Sequence, residues 1–330
     1  MVHGSRFRVL VVATAVTTGL YGQTTGGPVR VEMSDEAMGT TFTVVVHGPD
    51  RTALEVMARE ALDEAARIDN LLSNYKPESE WTAMNRAAGR APFTASQELF
   101  DVIAASLHYS RVTDGAFDIS VGPLMKTWGF FRGEGAMPDA VAVTRALEDV
   151  GWQRVRIDRA TRTIALLASG VELDPGGIGK GYAVDRMAAV LKARGATAAL
   201  ISAGGSSIYG LGAPPDSARG WPVRIRHPQA PAQTAAAVFL EDASLSTSGG
   251  DEKFFRAGGR VYSHIMDPRT GFPARGTSSV SVIAPRAMDG EAWTKAYFVN
   301  GRAWATRHRP VGTRAFMCDD SVPVDCGWIE

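Results

Sequence analysis

Polar and apolar residues alternate over 41–46, which predicts a strand. The spacing then turns helical, with Leu54, Ala58, Ala61, Leu62, Ala65, Ile68 and Leu72 on one face. SNYKPESEWTAMN, residues 73–85, is rich in turn residues and reads as a loop carrying Tyr75 and Trp81. Leu99, Ile103 and Leu107 mark a second helix ending near Gly115, and the Gly-, Pro- and Ala-rich stretch 132–145 reads as a connection. Strands are predicted at 155–157, 163–167, 171–173, 198–201, 223–226 and 236–240. A further helix starts near Lys180, where Ala183, Val184, Met187, Val190 and Leu191 repeat at its period. The pattern predicts an α+β protein with several packed helices around a cleft formed by loops 174–181, 204–207 and 246–250.

The densest chemistry lies in VELDPGGIGKGYAVDR, residues 171–186. Asp174 closes the predicted strand and Pro175 fixes the turn. Gly176, Gly177, Gly179 and Gly181 let the backbone approach a ligand, and Lys180 places an ammonium at a helix start. This pattern suits a phosphorylated ligand; a tight turn without one is the alternative. A Walker A loop would need Gly in place of Asp174 and Ser or Thr in place of Gly181. A dinucleotide fingerprint would need Gly in place of Tyr182.

Lys plus Arg and Asp plus Glu both number 35, so no global field recruits nucleic acid or an anionic membrane. With 45% hydrophobic side chains over 330 residues, the chain is globular and large enough for one big domain or two lobes divided near 132–152. Arg6 and Arg8 precede an apolar run at 9–20, the pattern of a secretory signal over residues 1–24; an uncleaved anchor is the alternative. The mature chain, 25–330, is then expected to be exported, soluble and without a membrane span. Cys318 and Cys326 are the only cysteines, and in an oxidising compartment a local disulfide is expected, with free thiols as the alternative.

LDPGGIGKGYAVDR resembles the signature of the ApbE family, the FAD:protein FMN transferases. Four other segments follow that family's order: AMGT at 37–40, GAFDISVGPLMKTWGF at 115–130, STSGG with SHIMDPRTG at 246–271, and SVSVIAPRAMDGEAWTKAYFVNG at 279–301. Each is weak alone, and five in one order are specific. The resemblance implies an ApbE-like, T-fold-like arrangement of mixed β-sheets around a flavin cleft. It also implies transfer of FMN from FAD to a Ser or Thr hydroxyl of an exported acceptor flavoprotein, with release of AMP and dependence on Mg²⁺. A non-catalytic exported FAD-binding protein and an FAD pyrophosphatase are the other readings. Family members are often lipoproteins anchored through a cysteine after the signal run, which this segment lacks, so a soluble periplasmic form is expected.

The resemblance places FAD against Met38, Tyr75 and the Ala116, Phe117, Asp118 stretch. By themselves, Met38 suits a core and Tyr75 a packing plug. Asp118 stands between apolar neighbours and needs partners, for which the Gly122–Pro123 turn is one source. The resemblance puts the diphosphate against Gly176, Lys180 and the loop of Thr247, Ser248 and Gly249, has Asp174 orient ligand groups or the loop itself, and counts Gly204, Gly205 and Ser206 as FAD-binding; the three 246–248 hydroxyls otherwise serve as turn caps. It also brings in His264 with Ile265. A lone histidine is commonly structural, but this one suits proton transfer near neutral pH and is assigned as base or acceptor positioner, with Lys180 as its catalytic partner. Mg²⁺ would be held by the Gly177 carbonyl, Glu291 and Thr294. Lys295 stands where a threonine ligand is expected, and Ser202 and Ser206 stand where the family has Asn and an acid or Asn.

Overall fold

The computed structural model describes residues 27–133 and 135–330, so the secretory signal expected over 1–24 lies outside the described residues. Eight strands form one sheet in chain order: Val29–Ala37, Thr40–Gly48, Ala198–Ala203, Ser207–Leu211, Ala243–Gly249, Thr277–Ala284, Arg314–Asp319 and Cys326–Trp328. Every neighbouring pair in it is antiparallel. Three helices, Arg51–Leu72, Gly179–Ala193 and Ala287–Asn300, cover one face. Phe42, Val44 and Val46 of the second strand share a core there with the seven apolar residues expected on the first helix, all of them buried. The hairpin Trp221–Arg226 and Thr234–Leu240 covers the other face, packing Val223, Ile225, Val238 and Leu240 on Ile208, Leu245 and Phe316. The α+β expectation therefore holds, as helices, sheet and hairpin in three layers.

Arg186 ties the first two helices of this layer together through Glu64, and Glu98 joins them from the helix Gln97–Val112 by pairing with Arg67. Cys318 and Cys326 form the expected disulfide, as a directly opposed pair on the last two strands.

Three expectations need correction. Residues 80–86 are a short helix, Glu80–Arg86: the Ser79 hydroxyl accepts from the Thr82 N–H at 3.0 Å, and Trp81 and Met84 are fully buried beneath it. Residues 140–148 are likewise helical, Ala140–Glu148, because Asp139 accepts from the Ala142 N–H at 2.7 Å and Val143 packs with Leu124, Trp128 and Tyr262. Residues 171–173 belong to no strand. The Leu173 N–H donates to Asn85 Oδ1, and its carbonyl accepts from Asn85 Nδ2 and Trp81 Nε1, all at 2.9 Å. Side chains satisfy Leu173, and the Ala168 carbonyl and the Gly122 N–H serve Val171 and Glu172, so no neighbouring strand is needed.

The glycines of the loop 174–181 also divide their work. A Cβ on Gly181 would lie 2.6 Å from the Ala287 carbonyl oxygen, so Gly181 lets two helices touch and does not face a ligand. Asp185, one turn on, accepts from the Ala287 N–H at 2.7 Å and the Met288 N–H at 3.0 Å, capping the partner helix. Helix propensity alone favours Gly181→Ala by about 1 kcal/mol. The clash is with backbone that cannot rotate away, so the net expectation is a loss of roughly 1–3 kcal/mol. A urea midpoint equal to or above that of the parent protein would refute this.

Candidate active site

The glycine-rich loop of residues 174–181 forms a 3₁₀ turn, Pro175–Gly177, followed by the helix Gly179–Ala193. Asp174 shapes this turn: Oδ1 accepts from the Gly176 N–H at 2.7 Å, and Oδ2 accepts from Asn74 Nδ2 at 3.0 Å. Burial pushes its carboxyl above the usual range, against these two donors. Asn74 was not singled out in the sequence, where nothing in a polar loop marks it.

Lys180 lies in the first helical turn and donates to Ser206 Oγ at 2.6 Å. Ser206 follows the Gly204–Gly205 turn, in which both residues have positive φ, +56° and +78°. A Cβ on Gly204 would lie 2.1 Å from Thr40 Oγ1, so both conformation and space require glycine there. Met38 brings its methyl group against Gly179, and the Phe117 ring packs beside Gly177. Tyr75 is 61% exposed and stacks on Phe131 with ring centroids 4.6 Å apart, which makes it a surface aromatic and not a buried plug.

Asp118 finds its partners elsewhere than in the Gly122–Pro123 turn. Oδ1 accepts from the Ser120 N–H at 2.9 Å and hydroxyl at 2.8 Å, and Oδ2 from the Trp152 N–H at 2.6 Å. Burial raises its carboxyl, and these donors oppose the shift. The side chain therefore fastens the Ala116–Phe117 stretch, both members of which are buried, to residues 151–152.

Residues 246–249 are strand and not loop, which splits their hydroxyls between two faces. Ser246 donates to the Ala287 carbonyl at 3.0 Å and Ser248 to Thr294 Oγ1 at 2.8 Å, both on the helical side. Thr247 pairs instead with Ser281 at 2.8 Å on the opposite face, so its hydroxyl does not join the others. Gly249 ends the strand beside Asp251. Ile265 is a core side chain packed with Val280, Tyr297 and Phe298, and its carbonyl accepts from Ala274.

His264 is half-buried, with Nδ1 3.2 Å from the Lys253 carbonyl and its ring edge-on to Phe130. Burial, helped by the Lys253 and Lys295 ammoniums and opposed by Glu252, pushes it down to about 4. Lys253 acts on both Asp174 and His264, and so links the glycine loop to the histidine. The sequence reading missed it because it lies in an unremarkable polar turn.

The helix Ala287–Asn300 carries the expected metal positions. Glu291 is 1% exposed; Oε1 accepts from Ser207 Oγ at 2.5 Å, and Oε2 is buried with no hydrogen-bond partner among the described residues. Thr294 Oγ1 donates to the Glu291 carbonyl at 2.7 Å and accepts from Ser248. Lys295 interacts electrostatically with Glu291 and Lys180, and burial pushes its ammonium below the ordinary lysine value. Among the described residues no three His, Cys, Asp or Glu side chains gather to hold a metal.

A hard dication wants about six oxygen ligands. Here one carboxylate, a hydroxyl already bonded twice and the Gly177 carbonyl are set against an ammonium. A dication held by Glu291 would carry the same sign of charge as the Lys295 ammonium one helical turn on, and the two would repel. The expected Mg²⁺ ligand set does not fit the residues present.

The sequence profile of the ApbE family matches residues 38–314. An FAD:protein FMN transferase from Klebsiella pneumoniae is 33% identical over 273 residues, covering 81% of this chain and 84% of the relative. Another, from Treponema pallidum, is 34% identical over 297 residues, covering 84% and 81%. Among solved structures, the ApbE protein from Thermotoga maritima superposes with a TM-score of 0.83 at 27% identity, covering 91% of this chain and 97% of that one. The flavinyl transferase ApbE from Pseudomonas stutzeri gives 0.81 at 27% identity, covering 92% and 95%. With the family profile spanning most of its length and its fold shared with these structures, the chain belongs to the ApbE family.

Proposed function

We propose that this protein binds FAD in the cleft and transfers its FMN moiety to a Ser or Thr hydroxyl of an exported acceptor protein, releasing AMP. The observation that carries the reading is the Lys180–Ser206 pair at the start of the helix Gly179–Ala193, with Lys295 and His264 facing the same space. Two ammoniums and a helix N-terminus suit a diphosphate. The acceptor oxygen attacks the FMN phosphorus, the bond from that phosphorus to the AMP phosphate oxygen breaks, and AMP leaves with the electron pair. His264 Nε2 takes the hydroxyl proton when Nδ1–H donates to the Lys253 carbonyl. Asp174 and Asp118 hold the two loops that frame the flavin. Export is supported by the Cys318–Cys326 disulfide, and among the described residues no helix is long and apolar enough to cross a membrane.

The test is intact mass spectrometry of a generic acceptor domain incubated with FAD and this protein, with AMP measured in parallel. A mass gain of one FMN with equimolar AMP is expected. AMP without labelling, even when the acceptor is varied, would replace the reading by hydrolysis. FAD binding without AMP would replace it by a flavin-binding role.

A further inference from the structure

Glu291 offers an orphaned oxygen in the interior, and a carboxylate oxygen so placed needs a cation. One helical turn on, Lys295 interacts with that carboxylate and with Lys180, and it has no hydrogen bond or ion pair among the described residues. Its ammonium is thus the resident cation on the helix Ala287–Asn300, and it is free to bond a ligand. Lys180 and Lys295 bring two ammoniums together here, offset by the carboxylates of Glu291 and Glu252. A diphosphate can accept from both ammoniums, whereas a dication beside them would be repelled by each.

Resting on the flavin-transferase reading, we propose that Lys295 takes the place of a divalent metal, so that this protein binds FAD and transfers FMN without one. Glu291, held by Ser207, attracts the ammonium without bonding it, so the Lys295 N–H donors are left for diphosphate oxygens. Lys180 reaches the same group from the helix start. The chain neutralises the phosphates with two fixed monocations on facing helices, Gly179–Ala193 and Ala287–Asn300, which touch through Gly181.

The experiment is FAD titration of the whole protein, followed by flavin fluorescence, in EDTA and in Mg²⁺. Lys295→Met, Lys295→Arg and Lys295→Thr are titrated beside it, and a thermal melt of each confirms folding. The parent protein is expected to bind FAD equally, within about twofold, in both buffers. Lys295→Met should weaken FAD in EDTA by roughly tenfold or more, and Lys295→Arg should restore most of that loss. Lys295→Thr should bind weakly in EDTA and recover in Mg²⁺. Binding by the parent that appears only with Mg²⁺, or undiminished binding by folded Lys295→Met in EDTA, would overturn the inference and leave the transferase reading standing. Absence of FAD binding in both buffers would overturn both.

Discussion

Lys180→Met is expected to slow FMN transfer by roughly 10²- to 10³-fold, the scale on which a preorganised group facing developing charge acts. Among the described residues the Lys180 ammonium is bonded only to the neutral Ser206 hydroxyl, at 2.6 Å, and it repels Lys295. Neither contact makes it a strong contributor to folding. Methionine keeps the length of the side chain and removes like-charge repulsion, so the melting temperature should stay equal or rise while transfer collapses. That opposition separates a group used on the substrate from one used on the fold. Single-turnover labelling followed by intact mass would read the rate, and a rate within about threefold of the parent's would remove Lys180 from the machinery.

The parts of the fold legible in the sequence are those set by local periodicity. The seven apolar positions read onto the first helix are the seven it buries, and the strand expected at 41–46 lies inside Thr40–Gly48. Short elements whose partners are distant in sequence were not legible. Residues 171–173 look like a strand, yet Asn85 and Trp81 take their backbone bonds from nearly ninety positions away. Glu80–Arg86 was hidden because Ser79 and the turn residues before it resemble loop composition, although Ser79 followed three residues later by a helical N–H is a cap.

The site divides in the same way. Lys180, Asp174 and His264 stand in dense motifs; Lys180 bonds Ser206, Asp174 bonds the Gly176 N–H, and His264 Nδ1 lies by the Lys253 carbonyl. The four glycines looked alike in sequence, but Gly181 serves helix contact because Ala287 lies across from it, which no spacing reveals. Thr247 and Ser248 looked like one hydroxyl cluster, and strand alternation sends them to opposite faces. Asp185 sits inside the signature and was passed over. Its role is to cap the helix that carries Glu291 and Lys295, and burial pushes it up to about 6 despite the two N–H donors.

His264→Ala is expected to leave FAD bound while lowering transfer by roughly 10²- to 10⁴-fold, the usual worth of a positioned general base. The pH profile is the sharper measurement. Burial and the Lys253 and Lys295 charges hold the imidazole near 4, and Glu252 works the other way, so the neutral, proton-accepting form prevails throughout the neutral range. Transfer should therefore fall only as pH drops through about 4, not through 6.5 as for an ordinary histidine. Folding carries the same signature: between 6.5 and about 4 the unfolded chain binds the proton that the folded protein refuses. The contribution of His264 to stability is thus complete above 6.5 and is lost progressively as pH falls through that window. Glu252→Gln removes the one acidic neighbour that favours the imidazolium and should push the rate midpoint lower still. A midpoint near 6.5 in the parent protein, or one unmoved by Glu252→Gln, would show that the titrating group in transfer is not His264.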